Sequence, residues 1–436
     1  MPSCCEQGAQ GGFMVRALSY AKQSLRGIWF RATVFTVAGI LLAIAAPALG
    51  NLIPANLLEA LGNDAAATLL QILATSMLAV TTFSLTTMVS AYSTATQIGT
   101  PRSIQLLIAD RTSHTALSTF VGAFAFSIVG IIALSLDVYS SSEKALLLLG
   151  TILVIAVVLV TLLRWISFLT TFGRMADIID RVGDAASQAM SDYAEQPLLG
   201  GRLWVDPPAT AIPLECDHPG FVVKVDVAAL QRIAEQENCQ LWVERRPGSR
   251  IFAGHPIAYL SGKVSEESQE AIQRAFVIAN HRTFEQDPRL GLLALSEISS
   301  KSLSPGINDP GTAIEVLEAT HRVLDIAMRA RIPDSPDAGR VHLRLLEPQD
   351  MLQDAFRATS RDGASDVEVM MRIQKELGAL IARSDAPWTA ALKAQAKDSF
   401  DRAERALELE EDRREVEVLH FEALSATGIS KDAAPA

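Results

Sequence analysis

The chain reads as an α-helical membrane domain of four spans joined to a cytoplasmic α+β domain, in which a small β-rich subdomain precedes a helical one. Three observations lead there. Four windows before Arg164, residues 32–58, 65–101, 112–136 and 145–163, contain no Asp, Glu, Lys or Arg. They run 27, 37, 25 and 19 residues, and a helix needs about 20 apolar residues to cross hydrocarbon that solvates no charge. The charge then changes: residues 1–182 carry 10 Lys/Arg against 8 Asp/Glu, and the remainder carries 28 against 41. Finally, the apolar pattern beyond residue 200 alternates like strands before returning to a helical period.

Each element follows in order. Residues 1–31 form an N-terminal segment, and 32–163 hold the four spans. A cleaved signal peptide is the alternative for the first window, where Ala46-Pro47-Ala48 loosely mimics a cleavage site. The long preceding segment and the length of the window favour a retained span. Lys and Arg flank alternate sides of the spans: Arg16, Lys22, Arg26 and Arg31, then Arg102 and Arg111, then Arg164, Arg174 and Arg181. The positive-inside rule therefore expects a multi-pass membrane protein with both termini in the cytoplasm.

The second span is rich in hydroxyls. Thr75, Thr82, Thr86, Ser90, Ser93 and Gln97 fall at helical spacing along one face. Two readings stay open: small hydroxyl residues let helices pack closely, or the stripe lines a hydrated pathway formed by several subunits. Thr100-Pro101 is expected to end the helix. No ionisable residue lies at mid-membrane depth, which argues against a proton-coupled carrier.

Residues 164–200 are expected to be a stalk helix and linker, closed by Pro197, Gly200, Gly201, Pro207 and Pro208. Residues 201–264 read as a mostly antiparallel sheet or barrel with one helix at 227–237. From Ser265 the chain reads as helical to 424, with helices at 266–280, from Pro288, at 312–331, 348–359, 365–383 and 388–420, and a disordered tail at 425–436. Asp287-Pro288 and Asp309-Pro310 each place a capping carboxylate before a proline at the first helical position.

The acidic soluble part argues against nucleic-acid binding. Cys4, Cys5, Cys216 and Cys239 show no metal-ligand spacing and are expected to be free thiols. No nucleophile–base pair, metal cluster or nucleotide loop is present, so neither an enzyme nor a cofactor is expected.

The run His281-Arg282-Thr283-Phe284-Glu285-Gln286-Asp287-Pro288, followed by Leu303-Ser304-Pro305-Gly306-Ile307-Asn308-Asp309-Pro310-Gly311-Thr312-Ala313, resembles the DUF2254 family of bacterial membrane proteins. Gly220-Phe221-Val222, Asp226, Arg246-Pro247-Gly248, Gly254-His255-Pro256-Ile257 and Thr100-Pro101-Arg102 are similar to that family's pattern. The resemblance implies a four-span protein of a bacterial inner membrane with a cytoplasmic domain, and carries over no catalytic residue. Arg282, Glu285, Asp287, Asn308 and Asp309 are the motif residues to watch. They either build an ion-paired corner that holds two helix N-termini, or they line a pocket where two N-termini face an anion. The expected partners are the lipid bilayer, further copies of the chain, and an ion or small ligand. The function expected is an oligomeric ion channel or solute pathway gated by the cytoplasmic domain; the alternative is a membrane-anchored scaffold or sensor without transport.

Overall fold

The computed structural model describes residues 33, 37, 65–108, 111–135, 141–216, 218–331 and 339–426. The N-terminal segment, the first expected span apart from Thr33 and Val37, and most of the tail lie outside these residues. The described chain divides into two compact units. One contains residues 105–174 together with everything up to Ile98, and the other contains Gly99–Ile104 and Met175 onward.

The first unit is a bundle of apolar helices. Helix α1 (Ala65–Ile98), α3 (Arg111–Ser135) and α4 (Ser141–Thr171) pack on one another, and the short α2 (Pro101–Ile108) joins the first two. Their apolar stretches span Ala65–Thr96, Thr112–Ser135 and Leu147–Thr170. At 1.5 Å per residue each is longer than the ~30 Å hydrocarbon layer. Leu70, Leu73, Met77, Phe120, Phe126, Leu147 and Val158 fill the interior. Gly130 lets α3 approach α1 closely, because a Cβ there would stand 3.0 Å from Leu70. Large apolar side chains point outward: Phe83 and Leu163 are each 68% exposed. Such faces are a liability in water and ordinary against lipid.

The expected stalk differs from the structure. Helix α4 stops at Thr171, Gly173 takes φ 79°, and α5 (Met175–Glu195) starts afresh. Rather than a free connector, α5 belongs to the core of the second unit and buries Ile178, Ile179, Val182, Ala186 and Met190. The cause is its wide apolar face, which needs partners to cover it.

Two sheets follow, not one. Strands β1 (Arg202–Leu203), β2 (Ile212–Cys216), β3 (Gly220–Val225), β4 (Leu241–Val243), β5 (Arg250–Ile251), β6 (His255–Leu260), β7 (Phe276–Ala279) and β8 (Val341–Leu343) form a five-stranded sheet, β1-β8-β4-β6-β2, and a three-stranded sheet, β5-β3-β7. Helix α6 (Val227–Gln236) lies between β3 and β4, capped by Asp226, which accepts from Ala229 N at 2.9 Å. The pairing is mixed: β1, β8 and β4 run parallel, and β6 is antiparallel to β4 and β2.

Two strands come from the region expected to be all helix. Helix α7 (Glu266–Arg274) ends early, and Phe276-Val277-Ile278-Ala279 pairs antiparallel with β3. That run is β-branched and aromatic, so a neighbouring open strand edge outweighs a weak helical preference. The other is β8, inserted between β1 and β4 from far along the chain.

The helical part comprises α8 (Pro288–Ser302), α9 (Pro310–Ala327), α10 (Pro348–Asp362), α11 (Val367–Ile381), α12 (Ala386–Ala406) and α13 (Glu410–Ser425). The last expected helix, 388–420, is two. Leu407 is buried and extended, at φ −71° and ψ 128°, and folds α13 back on α11. Gly378 lies where a Cβ would meet Ala423 at 3.2 Å. Between these helices Gln374 Nε2 donates to Ala396 O at 3.0 Å, which leaves its Oε1 to accept from His420 Nδ1 at 3.2 Å. Cys216 and Cys239 are buried free thiols.

Candidate functional site

The hydroxyl stripe occupies one side of α1. Thr75, Thr82, Thr86, Ser90 and Ser93 are exposed in the single chain, whereas Leu70, Leu73, Met77, Ser84, Met88 and Ala95 are buried. At about 100° per residue the two sets lie on opposite sides of the helix. Among the described residues the stripe therefore takes no part in packing between helices. Gln97 lies on the last turn of α1; its side chain is outside the described residues. The threonine hydroxyls bond back to their own helix: Thr75 to Gln71 O at 2.9 Å, Thr82 to Leu78 O at 2.9 Å and Thr86 to Thr82 O at 3.0 Å. This leaves the oxygen lone pairs facing outward as acceptors.

The residues that follow α1 belong to the second unit. Thr100 and Ser103 cap α2, with Thr100 N donating to Ser103 Oγ at 2.9 Å. Lys301 Nζ, from the last turn of α8, donates to Gly99 O at 2.7 Å, and Arg102 pairs with Glu297 of the same helix. Burial lowers the Arg102 pKa, and the positive charge of Arg282 acts in the same direction; Asp287 and Asp354 oppose both. Sequence reasoning missed these contacts, although Thr100-Pro101-Arg102 had already been singled out.

The motif residues are divided between the two ends of α8. At its N-terminus Asp287 is almost wholly buried. It accepts from Arg282 Nε at 2.6 Å and from the Arg282 terminal nitrogen at 2.8 Å, and its Oδ1 also accepts from Leu290 N at 3.2 Å. Gly248, at φ 90°, closes over this carboxylate; a Cβ there would stand 2.7 Å from it. Gln286 Oε1 accepts from Val225 N at 3.0 Å and so joins the motif to β3. Arg289 then holds α10 through Asp350 at 2.7 Å and Asp354 at 2.6 Å. Glu285 is exposed and takes no part in this network.

Asp309 lies at the other end. Its N–H donates to Ser302 O at 2.8 Å, at the C-terminus of α8. The 15 residues of α8 set it about 20 Å from Asp287. Asp309 accepts from Thr312 N at 3.1 Å and from Thr312 Oγ1 at 2.6 Å, bonds that hold its carboxyl below the usual range. Asn308 takes φ 52° in the exposed turn, a conformation asparagine tolerates better than most residues. The structure thus joins Arg282 with Asp287 and does not bring them to Asp309. Each N-terminus is already filled by its own aspartate.

Among the described residues no group of three or more His, Cys, Asp or Glu side chains could hold a metal ion. No solved structure matches the chain. An uncharacterized protein of Mycobacterium tuberculosis (strain H37Rv) is 29% identical over 134 residues, and one of Mycobacterium bovis matches equally. The match covers 29% of this chain and 26% of each relative, so the chain aligns with about a quarter of their length. A model of a family described as "Predicted membrane protein (DUF2254)" matches residues 26–379. With that match over most of its length, and with apolar helices long enough to cross a bilayer, the chain belongs to the DUF2254 family of membrane proteins.

Proposed function

We propose that copies of this chain assemble in the membrane so that α1 lines a pathway for ions or small solutes, gated by the second unit. One observation carries the reading: the polar stripe of α1 faces away from the other described helices of its bundle. A hydroxyl-lined surface gains more from water or from another copy than from lipid tails. The gating half is supported by the bonds that Lys301 and Glu297 of α8 make to Gly99 and Arg102 just after α1, through which a shift of α8 would reach that segment. Gly99–Ile104 and Met175 onward share one compact unit, and α3 and α4 cross between them. This supports placing the connection between the second and third expected spans on the same side as the C-terminal unit, and Arg102 and Arg111 favour the cytoplasm of a bacterial inner membrane for that side.

The back-bonded threonines favour a second reading, a membrane-anchored scaffold or sensor without transport, because hydroxyls satisfied within the helix can face lipid. Flux through proteoliposomes separates the two. The pathway reading expects ion or solute flux that Thr82→Leu with Thr86→Leu reduces at least tenfold at unchanged protein insertion. Absence of flux for every common ion, with the double variant fully active in cells, would leave the scaffold.

A further inference from the structure

We propose a binding site for a phosphate-bearing anion at the carboxyl ends of the parallel strands β1, β8 and β4. In open sheets, parallel strands deliver the residues that follow them to one edge, where ligands commonly bind. Here those residues are Trp204 after β1, Arg344 after β8, and Glu244, Arg245 and Arg246 after β4. Tyr193, from the last turn of α5, also reaches this edge: its ring faces the Arg246 guanidinium at 5.8 Å, and its hydroxyl accepts from Leu346 N at 3.2 Å.

Among the described residues Arg245 and Arg246 have no carboxylate partner, and Arg344 has only Glu244 at 3.9 Å. Elsewhere in this unit, the part-buried guanidinium groups of Arg282 and Arg289 sit within 2.6–2.8 Å of aspartate oxygens. Arg246 is directed instead at two backbone carbonyls, Pro197 O at 2.9 Å and Arg344 O. Arg344 lies 3.8 Å over the Trp204 ring and only loosely beside Glu244, at 3.9 Å. Arg245 has its Nε closed off from solvent without any hydrogen-bond partner. Among the described residues Glu244 stands beside Arg344, Asp206 accepts from Trp204 Nε1 at 3.1 Å and Glu347 acts on Tyr193, but none of them pairs with Arg245 or Arg246. Burial lowers the pKa of Arg246, the cost of a cation without an anion beside it.

The local backbone adds to the case. Glu244 N and Arg245 N both donate to Ile257 O, at 3.0 and 3.2 Å. This doubling is a bulge, which breaks the alternation of sides at the end of β4. Bulges re-aim side chains at the edges of sites, and a planar guanidinium fork matches a phosphate oxyanion in two-point geometry. Arg245 supplies a donor without a protein partner and Arg344 an exposed, ring-stacked one.

A free phosphate compound and a phospholipid headgroup share this chemistry. The test uses full-length protein in neutral detergent titrated with inorganic pyrophosphate, and protein in phosphatidylcholine nanodiscs with and without phosphatidic acid. Expected is one saturable site in the pyrophosphate arm or the phosphatidic acid arm, weakened at least tenfold by Arg245→Gln and by Arg344→Gln but unchanged by Arg232→Gln on the outer face of α6. The arm that responds names the source. Binding in neither arm, or binding indifferent to both variants while they melt as the wild type does, overturns the site.

Discussion

Asp287 and Asp309 offer a matched pair, because both precede a proline and both cap a helix, yet they differ in burial. Replacing Asp309 with alanine removes an exposed cap that holds Thr312 N and Oγ1, a loss of about 1 kcal/mol. Replacing Asp287 removes the same kind of cap and also strands Arg282, whose side chain is only 15% exposed while that of Asp287 is 2% exposed. Breaking a buried pair from one side costs about 3–5 kcal/mol, since the remaining guanidinium keeps its desolvation penalty. For a unit of this size each kcal/mol moves the melting point by about 2–4 °C. Thermal melting of the detergent-purified protein should therefore fall about 3 °C for Asp309→Ala and about 10 °C for Asp287→Ala. Equal shifts for the two variants would refute the reasoning that burial, not capping, gives the R-T-x-E-Q-D-P segment its weight.

Three further outcomes are expected. Gly291→Val should destabilise the second unit by more than about 2 kcal/mol, because a Cβ at that position would lie 2.3 Å from Ala186 Cβ of α5 and packed helices yield little; a chemical melt matching wild type would contradict that close approach. His420 is buried with its ring stacked on Phe400 at 4.6 Å, and burial lowers its pKa from the ordinary value of 6.5. The unfolded chain thus binds the proton more readily, so stability is lost as pH falls below about 6.5 toward the folded value; His420→Gln should flatten the melting curve between about pH 7 and 5. Lys301→Ala removes the charge-assisted bond to Gly99 O, worth about 1.5–3 kcal/mol; in proteoliposomes it should change flux through the proposed pathway, and identical flux at equal insertion would count against coupling through α8.

Much of the architecture was legible from the residues because solvent sets its terms. A long stretch without charge has few options but a bilayer, and the described spans begin within the windows that open at Ala65, Thr112 and Ala145, the third running on past Arg164 to Thr170. The Asp-Pro pairs announced the starts of α8 and α9, and Pro101 the end of α1, since capping and proline geometry are local. Short apolar runs were harder to read. Phe276–Ala279 joined a strand far back in the chain, and periodicity cannot tell a four-residue strand from the end of a helix. The break at Leu407 had no glycine or proline to mark it.

What the order of residues determined by itself was the medium of each part and the places where helices begin. Only the folded arrangement decided which face of α1 is spent on its neighbours, that the two capping aspartates stand at opposite ends of one helix, and that three arginines gather at the edge of the parallel strands. The first set depends on groups within a turn or two of each other. The second depends on which distant surfaces meet, where contacts between remote segments outweigh local preference.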